Sequence, residues 1–66
     1  MKATNIITLY KDTNGNLYCH EKYDDCLEMH LLTEVEEYNG CYTYTYSAID
    51  MTNEEFANLT KIEVEV

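Results

Sequence analysis

Four residues of metal-ligating type fall within a dozen positions, Cys19, His20, Cys26 and His30, and Cys41 follows them. A structural zinc site ordinarily draws two ligands from a tight cysteine knuckle that aims both sulfurs at one ion, and neither Cys19-His20 nor Cys26 with His30 supplies that spacing. Neighbours in a strand point to opposite faces, so Cys19 and His20 would need a bend to share an ion. The expectation is buried thiols that pack as small apolar groups and two surface imidazoles, with no metal and no cofactor. The alternative is a zinc-stabilised module, whose melting temperature a chelator would lower.

Nucleophilic chemistry at these thiols is disfavoured, because a negative field raises a thiolate pKa. Paired carboxylates occur at Asp24-Asp25, Glu36-Glu37 and Glu54-Glu55, but acid–base work needs a partly dry pocket that so small a chain seldom encloses. The two glycines are far apart, so no phosphate-binding loop is present, and no calcium-loop pattern occurs. The sequence therefore points away from an enzyme. It also points away from direct nucleic-acid or membrane binding. Thirteen acids against four Lys+Arg give a net charge of −9, which repels phosphates and acidic membrane surfaces and attracts basic proteins.

At 66 residues the chain is expected to be one domain, residues 1–66, near the lower size limit for a core that holds without metals or disulfides. An odd cysteine count fits reduced thiols, and with no apolar run long enough for a span or a secretion signal the expected location is cytoplasmic.

The elements that must position these residues centre on Leu27 to Tyr46. Asn39-Gly40 supplies the two positive φ values of a type I′ turn. Tyr38 then faces Cys41, and counting outward pairs Glu37 with Tyr42, Val35 with Tyr44, Thr33 with Tyr46 and Leu31 with Ala48 on one face, the face to bury. The opposite face collects Glu28, His30, Glu34, Glu36, Tyr38, Cys41, Thr43 and Thr45. Alternation through Leu27, Met29 and Leu31 favours a strand, with a helical turn near Asp24–His30 as the competing reading.

Before this hairpin, Asn5–Lys11 and Leu17–Lys22 read as strands joined by the turn-forming Asp12–Asn16, and Tyr23-Asp24-Asp25 reads as a polar connector. After it, Thr52 with Glu55 forms a capping box, Met51 and Phe56 sit at the positions of a hydrophobic staple, and Glu54 and Glu55 suit the helix dipole. Ile62, Val64 and Val66 alternate with acids as a last strand. The fold class is α+β: a small, mainly antiparallel sheet of about five strands, β-β-β-β-α-β, with one short helix on one face. Leu31, Val35, Tyr44 and Tyr46 are expected to make core with Phe56, Leu59, Ile62 and Val64. The Tyr42, Tyr44 and Tyr46 stripe reads first as packing and second as an interface.

Glu34 to Tyr46, Thr52 to Leu59 and Ile62 to Val66 together resemble the short uracil-DNA glycosylase inhibitor type, with its hairpin, Tyr-rich second strand, short helix and last strand. Anti-CRISPR and anti-restriction proteins are similar in their charge. The resemblance covers about half the chain and implies a class, a phage-encoded inhibitor that mimics DNA, without assigning residues. On the residues themselves, the expected partner-binding set is Glu28, Glu34, Glu36, Glu37, Glu63, Glu65, Asp24, Asp25 and Tyr38. The expected partner is a basic nucleic-acid-binding host protein, met by a monomer or homodimer. A homo-oligomerising module built on exposed strand edges is the alternative from another class.

Overall fold

A computed structural model describes residues 5–65, and Val66, expected to close the last strand, lies outside them. Its elements are β1 (Ile6–Lys11), β2 (Leu17–Asp24), β3 (Met29–Tyr38), β4 (Cys41–Thr52), α1 (Asn53–Ala57) and β5 (Thr60–Glu65). They form one antiparallel sheet in the order β4-β3-β2-β1-β5. The expected α+β architecture and element order hold. β1 pairs with β5 from Ile6 to Lys11 but meets β2 only at Tyr10–Tyr18 and Lys11–Leu17, so the β1–β5 ribbon is joined to the β2–β3–β4 meander over a short seam.

The turns are organised by carboxylates. Asp12 Oδ1 accepts from the backbone N–H of Asn14 (2.9 Å) and Asn16 (2.8 Å), and Oδ2 accepts from the Asn16 amide (3.0 Å) and the Tyr18 hydroxyl (2.9 Å). These bonds, the Asn16 side chain foremost, lower the Asp12 pKa, because they stabilise the charged form. In the β2–β3 connection Asp24 Oδ1 accepts from the N–H groups of Cys26 (3.0 Å) and Leu27 (3.3 Å), and Glu28 takes a left-handed φ of 52°. This corrects two expectations. β2 runs on to Asp24, and residues 25–28 are a turn, so neither a strand through Leu27 nor a helical segment to His30 forms. The cause is local: Asp24 draws two downstream N–H groups into an Asx-type turn, which competes with extended pairing. Leu27 is left exposed and Glu28 lies in the turn instead of on the sheet.

The third turn follows its sequence signal. Asn39 and Gly40 have φ of 51° and 81°, Tyr38 pairs with Cys41, and Glu37 Oε2 accepts from the Gly40 N–H at 3.0 Å. Pairing runs as expected to Val35–Tyr44 and then shifts, so that Thr33 faces Ala48 and Leu31 faces Asp50. Thr45, Tyr46 and Ser47 bulge opposite Glu34. The bulge is pinned by Thr45 Oγ1, which donates to the Glu34 carbonyl at 3.1 Å and accepts from the Ser47 N–H at 3.4 Å. Thr45 thus competes with the ladder at the point where it slips. Tyr46 is turned fully into solvent and Tyr44 is 53% exposed, so neither belongs to the core.

Register divides the side chains between two faces. Leu9, Leu17, Cys19, Thr33, Val35 and Tyr44 share the front face, while Tyr10, Tyr18, His20, His30, Leu32 and Met51 share the back. The helix covers the back face. Phe56 lies 4.1 Å from His30 in a stacked arrangement, 4.8 Å from Tyr10 and 4.9 Å from His20, between ring centroids. The expectation that Phe56 would cover Leu31 and Val35 is therefore corrected. β4 continues to Thr52 with Met51 opposite His30, which delivers the chain to the back, where alternating Leu32, Ile49 and Met51 offer apolar cover. Among the described residues the buried side chains are Leu9, Tyr18, Leu32 and Val35, two on each face.

The capping box forms as expected: Glu55 N–H donates to Thr52 Oγ1 (3.2 Å) and Thr52 N–H donates to Glu55 Oε1 (2.9 Å). Thr52→Ala removes the hydroxyl that accepts from the Glu55 N–H, while the backbone bond from Thr52 N–H to Glu55 remains possible, and is expected to cost about 1 kcal/mol, read as a lower urea midpoint at unchanged slope.

Candidate functional site

The thirteen acids define the surface. None is buried: Asp12 and Glu34 are half-buried and the other eleven are exposed. Glu34 and Glu36 lie on β3, and Glu63 and Glu65 on β5, all on the back face by register. β2 and β1 intervene, so the two pairs stand roughly 14 Å apart at ordinary strand spacing. Tyr18 is opposite Glu34, and Tyr10 is opposite Lys61. The acids thus form two separate clusters flanking an aromatic centre, in place of one continuous row. Asp24, Asp25 and Glu28 gather at the β2–β3 turn, and Glu37 and Tyr38 at the β3–β4 turn. Glu37 and Asp24 also hold their turns together, so their roles are partly structural. Tyr38 is 79% exposed.

The aromatic centre holds a feature that sequence reading missed. His20 and His30 are partly buried rather than free surface imidazoles. His20 Nε2 lies 3.0 Å from His30 Nδ1, and His30 Nε2 lies 2.9 Å from Asn53 Oδ1. An amide oxygen only accepts, so His30 Nε2 carries the proton and His30 Nδ1 accepts from His20 Nε2–H. The chain of bonds ties the first residue of α1 to the sheet. It tolerates one positive charge but not two, since double protonation sets N–H against N–H. No spacing rule links positions 20 and 30; the β2–β3 pairing and the bulge between His20 and Lys22 bring them together.

Burial first, and then the charge of His30, lower the His20 pKa, against a smaller opposing pull from Glu21. An unfolded histidine near 6.5 then takes up its proton before the folded one does. This contribution to stability is complete above about pH 6.5 and is lost as pH falls toward the depressed folded value. The expected result is a larger drop in urea midpoint between pH 7.5 and 5.5 for the wild type than for His20→Gln, with relief of acidic repulsion common to both.

The remaining candidates separate. Cys19 is half-buried on the front face, while Cys26 and Cys41 are exposed, which corrects the expectation of buried thiols for the latter two. Burial, followed by the charge of Glu21, raises the Cys19 pKa, so it is held as a thiol. Among the described residues no three His, Cys, Asp or Glu side chains group so as to hold a metal ion. No described helix is long and apolar enough to cross a membrane.

No family model, curated protein or solved structure matches this chain. The site is therefore read from its own geometry, and the front face adds what the sequence did not reveal. Glu21, Thr33, Tyr44, Thr45, Tyr46 and Ala48 line an open groove of about 590 Å³. Two irregularities build it, the β2 bulge at Glu21 and the β4 bulge at Thr45–Ser47, on the strands flanking β3. Period-two alternation carries no mark of either bulge.

Proposed function

We propose that this chain is a small acidic inhibitor, of the kind phages encode, that occupies the nucleic-acid-binding site of a basic host defence or repair enzyme and blocks substrate entry. The observation that carries this reading is the exposure of the charge: thirteen acids, none buried, against four Lys+Arg. Acids kept at the surface of a chain this small repel one another and lower its stability, and a basic partner relieves that repulsion on binding.

Magnitudes shape the mechanism. The molecule is 43 Å long, slightly more than one turn of duplex at about 34–36 Å. Duplex DNA of that length carries about 25 phosphates at one charge per 1.7 Å, whereas this chain carries a net −9. Charge density alone does not match DNA. Competition must then combine steering by the acidic clusters with uncharged contact from exposed tyrosines such as Tyr38, Tyr44 and Tyr46. The test is displacement of fluorescent duplex DNA from a panel of purified DNA-binding nucleases and glycosylases. Stoichiometric displacement from at least one member is expected, and failure across the panel counts against the proposal.

A second reading is pairing of β4 between two copies. β4 is a twelve-residue edge strand without Lys or Pro, and such edges invite a partner strand. The Thr45–Ser47 bulge interrupts that edge and leaves only short straight segments to pair. Sedimentation is expected to show a monomer at micromolar concentration, and a stable dimer would favour strand pairing.

A further inference from the structure

We propose that the front groove between Glu21, Tyr44 and Tyr46 is a receptor for an arginine side chain of the basic partner. This rests on the inhibitor reading and names the contact within it. Glu21 is the one carboxylic side chain in the lining, since the others are threonine, tyrosine and alanine. The phenol of Tyr44 has its pKa raised, first by the neighbouring Cys19 and then by burial, so it stays neutral. The groove therefore offers one carboxylate beside two tyrosine side chains.

That combination suits a planar guanidinium, which can pair with a carboxylate through two parallel N–H donors and stack on an aromatic face. A lysine ammonium gains the charge but not the fork or the stacking. Charge complementarity argues for a cationic occupant, because the whole molecule is at −9. The groove's construction argues that it is more than a surface dip. Two bulges on different strands converge on it, and bulges re-aim side chains that regular alternation would send elsewhere. The Thr45 hydroxyl, bonded to the Glu34 carbonyl and to the Ser47 N–H, holds the Tyr46 bulge in place. The turned-out Tyr46 leaves its ring free for an incoming side chain.

The test uses the full chain, labelled with nitrogen-15, titrated with acetylated tetra-arginine amide and, in parallel, tetra-lysine amide. Saturable amide shifts centred on Glu21, Thr33 and Tyr44–Ala48 are expected, with arginine binding at least fivefold tighter than lysine. Glu21→Gln and Tyr46→Ser should each weaken arginine binding about tenfold while leaving the remaining spectrum in place. Glu54→Gln, an exposed acid on the helix that covers the back face, should change it less than twofold. Shifts spread evenly over the acidic residues, or binding unaltered by Glu21→Gln, would overturn the groove assignment. The DNA-displacement panel keeps the two proposals apart. Displacement by the wild type that Glu21→Gln leaves intact removes the groove alone. Groove-centred arginine binding without displacement of DNA from any enzyme removes the inhibitor reading alone.

Discussion

Leu32→Ala is expected to leave most of the protein unfolded at room temperature or to lower its melting temperature by more than about 10 °C. Leu32 and Leu9 are the two described side chains with no solvent exposure, and a leucine truncated at such a site costs about 2.7–5 kcal/mol when its surroundings collapse only partly. A chain of 66 residues has about 3–10 kcal/mol of total stability at 0.05–0.15 kcal/mol per residue. The loss is thus comparable to the whole, and each kcal/mol moves the midpoint by about 4–8 °C in a domain of this size. Leu32 is on the back and Leu9 on the front, so Leu9→Ala should be as damaging through a different half of the core. Leu27→Ala is the control. Leu27 is 70% exposed in the β2–β3 turn, and its truncation should stay within about 0.5 kcal/mol. Thermal melts followed by circular dichroism distinguish these outcomes.

Charge reversal tests the surface as truncation tests the core. The triple variant Glu36→Lys, Glu63→Lys, Glu65→Lys changes three exposed positions and moves the net charge from −9 to −3, each reversal shifting it by two. The fold should survive, because none of the three carboxylates holds a turn or a cap. Mutual repulsion is also relieved, so the melting temperature is expected to hold or rise. Affinity for a basic partner is expected to fall at least a hundredfold, mainly because the two clusters flanking the aromatic centre no longer steer and hold Lys and Arg side chains. A variant that binds as well as the wild type would show that acidity serves only to keep the chain dissolved.

Much of this architecture was legible in the sequence because its signals are local. Asn39-Gly40 set its turn, Asp12–Asn16 set another, and Thr52 with Glu55 capped the helix, each through bonds made within four residues. Strand alternation gave the correct faces for Leu17 with Cys19 and for Tyr18 with His20. What escaped was the competition between short-range side-chain bonds and the ladder. Thr45 bonding the Glu34 carbonyl opens the bulge that turns Tyr46 out, and Asp24 bonding two N–H groups ends the strand ahead of Glu28. The choice of face for the helix escaped for another reason. Both sides of the β3–β4 hairpin carry apolar residues, Leu31 and Val35 on one and Leu32, Ile49 and Met51 on the other, so alternation alone does not choose between them. The His20–His30–Asn53 chain depends on that choice and was hidden with it. The acidic residues themselves were legible as exposed; their division into two clusters required the strand order.

The central claim, that exposed negative charge brings this chain to a nucleic-acid site, is tested most directly by the salt dependence of its binding to a DNA-binding enzyme that it displaces from DNA. The dissociation constant should rise steeply between 50 and 200 mM salt, by about tenfold or more, and duplex DNA should compete for the same site. Binding that is indifferent to salt, or that forms a ternary complex with DNA in place, would contradict it.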